Sequence, residues 1–279
     1  MNRASTAWLF LAPALLVLGA FFLLPVLAGL GLSLTDYDIY ALADIHNLRF
    51  VGLANYWDLL HRRLFWAALG HTLYFVVAGV PLSMLASLGT ALLLNSSAAR
   101  FKPVFRTALF APVVTTVVAV AVIWRYLFNT QYGVVDFVLT HLGIPPIDWL
   151  GDPHWAMPMI ILLAGLQAIP AELYEAARID GASGWRQFRH ITLPALAPIL
   201  LMVGILTVSG YFQLFAEPYV ITEGGPLQST VSVLYLMYQD GFKWWNMGTA
   251  SAVAFLLFLV MFVATMALWR AGVSREDAA

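Results

Sequence analysis

Long apolar stretches without charge dominate this chain. No charged residue occurs from position 4 to position 35. A helix of about 20 apolar residues crosses a hydrocarbon layer of about 30 Å, whereas the apolar part of a signal peptide is only about 7–15 residues long. Charged residues make up 10% of the chain, against about a quarter in soluble domains. The sequence therefore predicts an all-α, polytopic membrane protein whose first apolar stretch is an uncleaved span.

Six apolar stretches can be distinguished, and we interpret residues 1–279 as a single transmembrane domain. The fourth stretch, residues 155–169, is the shortest. At about 1.5 Å per residue it reaches only about 22 Å. The predicted spans are residues 8–34, 70–94, 107–126, 155–169, 191–216 and 244–269.

The basic residues indicate that the short fourth stretch crosses the membrane. If it crosses, nine of the 14 basic residues lie on one side, and cytoplasmic loops are enriched in Lys and Arg. If it does not cross, that majority moves to the opposite side. We therefore expect six spans with both termini in the cytoplasm. The nine residues are Arg3, Arg100, Lys102, Arg106, Arg178, Arg186, Arg189, Arg270 and Arg275.

The predicted cytoplasmic loop 171–194 has the pattern of two short helices joined by a turn. Pro170 permits a new helix to start, and Gly181 suits the left-handed residue that follows a helix end. Trp185 and Phe188 are three residues apart and share one helix face. Such a pair of helices either lies on lipid headgroups or docks on another protein.

This loop resembles the EAA signature of permease subunits in binding-protein-dependent ABC importers. The matching residues are Glu175, Ala176, Ala177, Gly181, Ile191, Leu193 and Pro194. The resemblance implies an ABC type I importer permease fold, in which the loop forms a coupling helix that fits a groove in a cytoplasmic ATPase. The residues it assigns to ATPase coupling are Glu175, Ala176, Ala177, Asp180, Gly181, Trp185, Leu193 and Pro194.

Two further motifs resemble the carbohydrate branch of that family, which includes the maltose-type and glycerol-phosphate-type permeases. One is Thr222-Glu223-Gly224-Gly225-Pro226 with the flanking Phe215 and Tyr219. The other is Gly52-Leu53-x-Asn55-Tyr56 in the first outer loop. The resemblance therefore implies import of a sugar by alternating access.

The resemblance also implies partners and a location. The expected partners are a cytoplasmic ABC ATPase dimer that binds ATP and magnesium, a second homologous permease, an extracytoplasmic solute-binding protein and the lipid bilayer. The expected location is the bacterial cytoplasmic (inner) membrane. No cofactor is expected in this chain itself.

The residue inventory argues against an enzyme. A phosphate-binding loop of the Gly-x4-Gly-Lys-[Ser/Thr] type is absent, and the only lysines are Lys102 and Lys243. The chain has no cysteine, and His71 and His190 lack partners at ligand spacing, so a metal site is not expected. The net charge of −1 gives no reason to expect nucleic-acid binding.

A secondary transporter or channel is the alternative class. Such proteins usually carry ionisable residues or broken helices near the middle of the membrane. The interiors of the predicted spans carry no charge, so this alternative is disfavoured.

Polar and aromatic residues in the fifth span are candidates for the substrate path. Tyr211, Phe212, Gln213 and Phe215 could offer hydrogen bonds and flat ring faces to a sugar. Helix packing explains Tyr211 and Gln213 equally well. Close packing is the expectation for Ser209 and Gly210, and snorkelling to headgroups is the expectation for Arg125.

The short fourth span departs from the resemblance. Permeases of this kind carry a longer segment before the match to residues 166–170, and it contributes to their substrate path. Our hypothesis is that roughly ten residues are missing from this span, a length that would restore a full crossing.

Overall fold

A computed structural model describes residues 3–95, 116–167 and 193–276. Apart from one isolated backbone bridge between Thr35 and Phe50, regular structure in these ranges is helical. The predicted all-α class is confirmed.

Eleven α-helices occur in the described ranges. The α-helices are α1 Arg3–Leu18, α2 Leu24–Ser33, α3 Ile39–Ala43, α4 Ala54–His61, α5 Arg63–Asn95, α6 Val117–Leu127, α7 Val134–His141, α8 Pro153–Gln167, α9 Leu193–Phe212, α10 Val233–Tyr238 and α11 Met247–Glu276. A 3-10 turn covers Ile45–Asn47, and π-helical turns cover Gly19–Leu23, Pro218–Thr222 and Gln239–Lys243.

Among the described residues, three helical segments are long and apolar enough to cross a membrane. They are Phe10–Ser33, Arg63–Thr90 and Met247–Arg270. Shorter apolar helices occupy Val117–Leu127 and Leu196–Phe212. The first, second and sixth predicted spans thus correspond to long apolar helices.

The fifth predicted span ends four residues earlier than expected, at Phe212. A continuing helix would need the backbone N–H of residue 218 to reach the carbonyl of Leu214, and residue 218 is a proline without that group. The Leu214 carbonyl instead accepts a hydrogen bond from the Ser232 hydroxyl. The helix thus ends at Phe212, and Pro218 begins the π-helical turn that follows.

The sixth predicted span begins later than expected, at Met247 rather than residue 244. Trp245 has a positive φ of 55°, which no α-helix accommodates. The Asn246 side chain then accepts a hydrogen bond from the backbone N–H of Thr249, which satisfies a free amide at the helix start.

The described part of the fourth apolar helix, α8, covers Pro153–Gln167 and overlaps the short fourth stretch of the sequence. Its last described residue is Gln167, so its junction with the loop 171–194 lies outside the described residues.

The chain divides into two compact units. The first comprises Met1–Arg63 and Leu236–Leu256. Within it, the Asn55 amide donates to the carbonyls of Ser33 and Thr35 at 2.9 and 2.8 Å, so the end of α2 is capped by α4. Gly248 donates its backbone N–H to the Tyr37 carbonyl.

The second unit comprises Leu64–Tyr235 and Leu257–Ala279. Phe75 of α5 and Tyr211 and Phe212 of α9 are buried in its interior. A further apolar cluster forms around Ala121 and Ile221, where α6 contacts the π-helical turn.

Candidate functional site

The predicted substrate-path residue Tyr211 lies between α5 and α9. Its ring stacks on Phe75 at a centroid distance of 4.7 Å, and 6% of the residue is exposed. A Cβ atom added to Gly79 would lie 2.4 Å from the Tyr211 ring atom Cε1. The glycine is therefore required for this close approach.

The Tyr211 hydroxyl is buried and has no hydrogen-bond partner among the described residues. A buried polar group without a partner costs about 1–3 kcal/mol, so most such groups in native proteins have an explanation. Tyr211 is thus packed by its ring, and its hydroxyl, which lies near the Ser83 side chain, forms no hydrogen bond of standard geometry.

The other three predicted path residues have different surroundings. Phe212 is 1% exposed and is a core side chain in this conformation. Gln213 is exposed and lies in the turn that ends α9. Phe215 is half-buried and stacks on Tyr219, with 5.2 Å between ring centroids and 13° between ring planes. The structure therefore groups Phe215 with residues of the following loop rather than with Tyr211.

Three aromatic rings form a cluster beneath the loop that carries the Thr222–Pro226 motif. Tyr235 lies 6.3 Å from Phe215 and 6.1 Å from Tyr219, measured between ring centroids. The Tyr235 hydroxyl donates a hydrogen bond to the Glu223 carbonyl at 3.1 Å. The aromatic cluster therefore fixes the position of the first residues of the Thr222–Pro226 loop.

Gly224 is required at this point of the loop for two reasons. Its φ is +82°, a conformation that L side chains rarely adopt, and a Cβ atom would lie 2.6 Å from the Tyr235 ring. The Thr230 hydroxyl closes the loop by donating to the Gly225 carbonyl at 2.7 Å. The Thr222 and Thr230 hydroxyls also form a hydrogen bond of 2.7 Å.

The tip of this loop presents an exposed leucine in a strained conformation. Leu227 is 90% exposed and has a positive φ of 49°, as has Gln228 with 63°. Left-handed backbone is uncommon for residues other than glycine, and such strain persists only where the surroundings enforce it. The loop is thus a fixed turn that displays an apolar side chain.

Arg125 lies at the end of α6 with its side chain 51% exposed, and its expected snorkelling to headgroups stays a prediction. Its guanidinium donates to the Val220 carbonyl at 3.1 Å and to the Glu223 carboxylate at 3.2 Å. Arg125 therefore links the end of α6 to the loop motif.

The packing prediction for Gly210 is also wrong. Gly210 is exposed, and no atom would lie within 4 Å of an added Cβ atom. The Ser209 hydroxyl donates within its own helix to the Ile205 carbonyl. The close approach of α9 to another helix occurs one residue later, where Tyr211 meets Gly79.

Two residues of α5 contribute contacts that the sequence alone did not assign. Thr72 is fully buried, and its hydroxyl accepts the backbone N–H of Val233 at 3.0 Å. His71 Nδ1 lies 3.0 Å from the Val231 carbonyl. Adjacent polar residues inside an apolar span were the available signal, since such residues rarely face lipid.

Glu217 directly precedes the π-helical turn Pro218–Thr222. It is half-buried, and burial raises the pKa of its carboxyl above the ordinary value.

Most of the predicted coupling residues lie outside the described residues: Glu175, Ala176, Ala177, Asp180, Gly181 and Trp185. Leu193 and Pro194 are the first two residues of α9. A proline at this place suits the first turn of a helix, where its missing N–H has no partner in any case.

The fold and these motifs define an all-helical membrane transport protein, and comparison with known proteins gives the family. Residues 60–273 match the family of binding-protein-dependent transport system inner membrane components. The chain belongs to this family and is therefore a multi-pass membrane permease.

Two relatives and one solved structure illustrate the likeness. The lactose transport system permease protein of Rhizobium radiobacter is 36% identical, with 92% of this chain and 90% of the relative covered. The trehalose/maltose transport system permease protein of Thermococcus litoralis is 34% identical, with 99% and 96% covered. A chain of a bacterial alginate ABC transporter, crystallised with an alginate pentasaccharide-bound periplasmic protein, has a TM-score of 0.75 at 18% identity, with 96% and 93% covered.

The second of these relatives contains residues that this chain lacks. Its alignment extends over 293 positions, more than the 279 residues of this chain. Some of its residues therefore have no counterpart in this chain.

Proposed function

We propose that this chain is the permease subunit of an ATP-driven importer that moves a sugar or related carbohydrate into the cytoplasm by alternating access. The observation that carries the proposal is the family match over residues 60–273 together with relatives that transport lactose and trehalose/maltose. The aromatic cluster of Phe215, Tyr219 and Tyr235 supports the carbohydrate assignment, because flat rings pack well against the apolar faces of sugars.

ATP hydrolysis is assigned to a partner. A cytoplasmic ABC ATPase dimer binds ATP and magnesium, and its closure is transmitted through the loop 171–194 of this chain. A second, homologous permease completes the membrane part. The likeness of the loop residues Glu175–Gly181 to the EAA signature supports this division of labour.

An extracytoplasmic binding protein delivers the sugar. The solved alginate transporter was crystallised with a periplasmic protein that carries an alginate pentasaccharide, and the family description itself specifies binding-protein-dependent transport. The distribution of basic residues supports the orientation, with both termini and the loop 171–194 in the cytoplasm. The loop around Leu227 then faces the binding protein.

The substrate path of this chain includes Tyr211 and Phe215, with Phe212 and Gln213 beside them. The buried, unpartnered Tyr211 hydroxyl supports its part in the path, because a sugar hydroxyl or a water that accompanies it would satisfy the group. In the present conformation the Tyr211 ring is packed against Phe75, so the path opens only when α5 and α9 rearrange.

Uptake into vesicles tests the proposal. The complete complex is reconstituted with its binding protein, and labelled lactose, maltose and trehalose are added with ATP supplied on the side of the ATPase. We expect uptake of at least one sugar that requires ATP and the binding protein. Uptake that an ion gradient drives without ATP would instead establish the secondary-transporter alternative.

A further inference from the structure

The short helix α4, residues Ala54–His61, has one face attached to the protein and one face exposed. On the attached side, the Tyr56 hydroxyl lies 2.7 Å from the Ser33 hydroxyl, and Leu59 is 1% exposed. On the other side, Leu53, Trp57 and Leu60 are 70%, 66% and 42% exposed. The exposed residues are spaced by four and three positions, which places them on one stripe of the helix.

Hydrogen bonds to the end of α2 fix where α4 lies along the first span. The Asn55 amide donates hydrogen bonds to the carbonyls of Ser33 and Thr35. The backbone N–H groups of Val51 and Gly52 donate to the carbonyl of Leu34. Ser33 is the last residue of α2, and Leu34 and Thr35 follow it directly. Helix α4 is therefore held at the very end of a membrane-spanning helix.

The apolar side of α2 is exposed up to the end of the helix to which α4 is attached. Leu27 and Leu30 of α2 are 65% and 41% exposed, and none of the apolar window within Phe10–Ser33 is buried by the protein. The apolar stripe of α4 thus continues a surface that faces lipid. Along the chain, only Arg62 separates α4 from the second spanning helix, which begins at Arg63.

We infer that the Leu53–Trp57–Leu60 stripe of α4 inserts into the boundary between headgroups and acyl chains of the bilayer and anchors the first loop there. A tryptophan with an exposed ring suits that boundary, where its apolar body and its N–H group are both satisfied. The Trp57 ring also packs on His61, with 4.4 Å between centroids. Amphipathic helices bind in this way when one face is apolar and the other is polar.

Spin labelling tests this placement, because the chain contains no cysteine. Trp57→Cys and Leu53→Cys are labelled, and Asp58→Cys is the matched control, an exposed site on the same helix but off the stripe. The complete complex is reconstituted in vesicles of phosphatidylethanolamine and phosphatidylglycerol. Collisions with oxygen, which partitions into the bilayer, are compared with collisions with a water-soluble nickel chelate. ATP-dependent uptake confirms that each labelled complex is assembled.

We expect the oxygen-to-nickel collision ratio at positions 53 and 57 to be several-fold higher than at position 58. Equal ratios at the three positions would show that the stripe faces water and would overturn the inference. Shielding of positions 53 and 57 from both reagents would show that a protein subunit covers the stripe and would also overturn it. So would a ratio that becomes high only when the sugar-loaded binding protein is added.

Discussion

Gly79 of α5 faces the Tyr211 ring of α9 so closely that a Cβ atom would lie 2.4 Å from Cε1 and 2.9 Å from Cδ1. No real Cβ contact is that short, so any larger residue at position 79 must displace the ring. The ring is held from another side by Phe75, at 4.7 Å between centroids. The spacing between α5 and α9 near Tyr211 therefore depends on the absence of a Cβ atom at position 79.

Gly79→Ala should destabilise the protein by about 1–3 kcal/mol, the usual cost of overpacking, and should reduce sugar uptake. Thermal unfolding in detergent and uptake in vesicles measure the two effects. Gly70→Ala is the matched control on the same helix, since nothing lies within 4 Å of its added Cβ atom. The control should be neutral or slightly stabilising, because alanine favours helix by about 1 kcal/mol over glycine. Equal behaviour of the two variants would contradict the packing account.

Tyr211→Phe removes a hydroxyl that has no partner among the described residues and leaves the ring in place. We expect unchanged or slightly raised stability, because an unsatisfied buried group is removed, together with uptake reduced several-fold. Initial uptake rates over a range of sugar concentrations measure the effect. Wild-type uptake by this variant would show that the hydroxyl takes no part in transport and would limit Tyr211 to packing.

Arg62 and Asp240 form an ion pair within the first unit, with Nη1 at 3.0 and 2.8 Å from the two carboxylate oxygens. Asp240 is 5% exposed. Arg62→Ala leaves this carboxylate buried and unpaired. Breaking a fully buried pair costs about 3–5 kcal/mol; because the Arg62 side chain is 37% exposed, we expect about 1–3 kcal/mol at neutral pH.

The loss of stability in the Arg62→Ala variant should depend on pH. Burial raises the pKa of Asp240, and Arg62 opposes that rise. Without Arg62 the pKa rises further above its value in the unfolded chain, so protonation favours the folded state. The variant should therefore be closest to wild type at acidic pH and lose stability as the pH rises through the pKa of Asp240 in the folded state. Unfolding measured from acidic to neutral pH checks the sign.

Arg49→Ala is the control for that experiment. It breaks the Arg49–Asp36 pair, in which the arginine side chain is 81% exposed, so the cost should stay below about 1 kcal/mol. The backbone N–H of Arg49, the largest cause of the lowered pKa of Asp36, remains in the variant. A large or strongly pH-dependent loss in this control would undermine the interpretation of Arg62.

Leu227 should contribute to docking of the binding protein. Leu227→Asn keeps a residue that tolerates the left-handed conformation while removing the exposed apolar side chain. We expect weaker binding of the sugar-loaded binding protein to the complex, by about tenfold if about 1.4 kcal/mol of contact is lost. Leu142→Asn replaces another leucine, 70% exposed, and should leave binding unchanged. Unaltered affinity in the Leu227 variant would remove this residue from the docking surface.

The sequence predicted the helical class and the long apolar helices at the first, second and sixth spans, because these depend on local pattern. It could not predict which small residue permits close packing. Gly79, Gly70 and Gly210 look alike in sequence, and only the position of the Tyr211 ring distinguishes them. The proposed close packing at Gly210 failed for this reason.

The sequence also could not predict contacts between residues that lie far apart along the chain. Arg125 resembles an ordinary span-end arginine until the loop residue Glu223, 98 positions away, is placed beside it. Asn55 and Tyr56 of the second carbohydrate-type motif cap and fix the end of α2, a structural task that the motif itself does not reveal.

ATP hydrolysis and sugar uptake, measured together in the reconstituted complex, test the central claim that this permease is driven through its loop 171–194. We expect Gly181→Pro and Glu175→Lys to abolish uptake and its stimulation of the ATPase while membrane insertion stays intact. Glu172→Lys, the same charge change just outside the motif, should retain most of both activities. Normal ATP-dependent uptake by the Gly181 and Glu175 variants would contradict coupling through this loop.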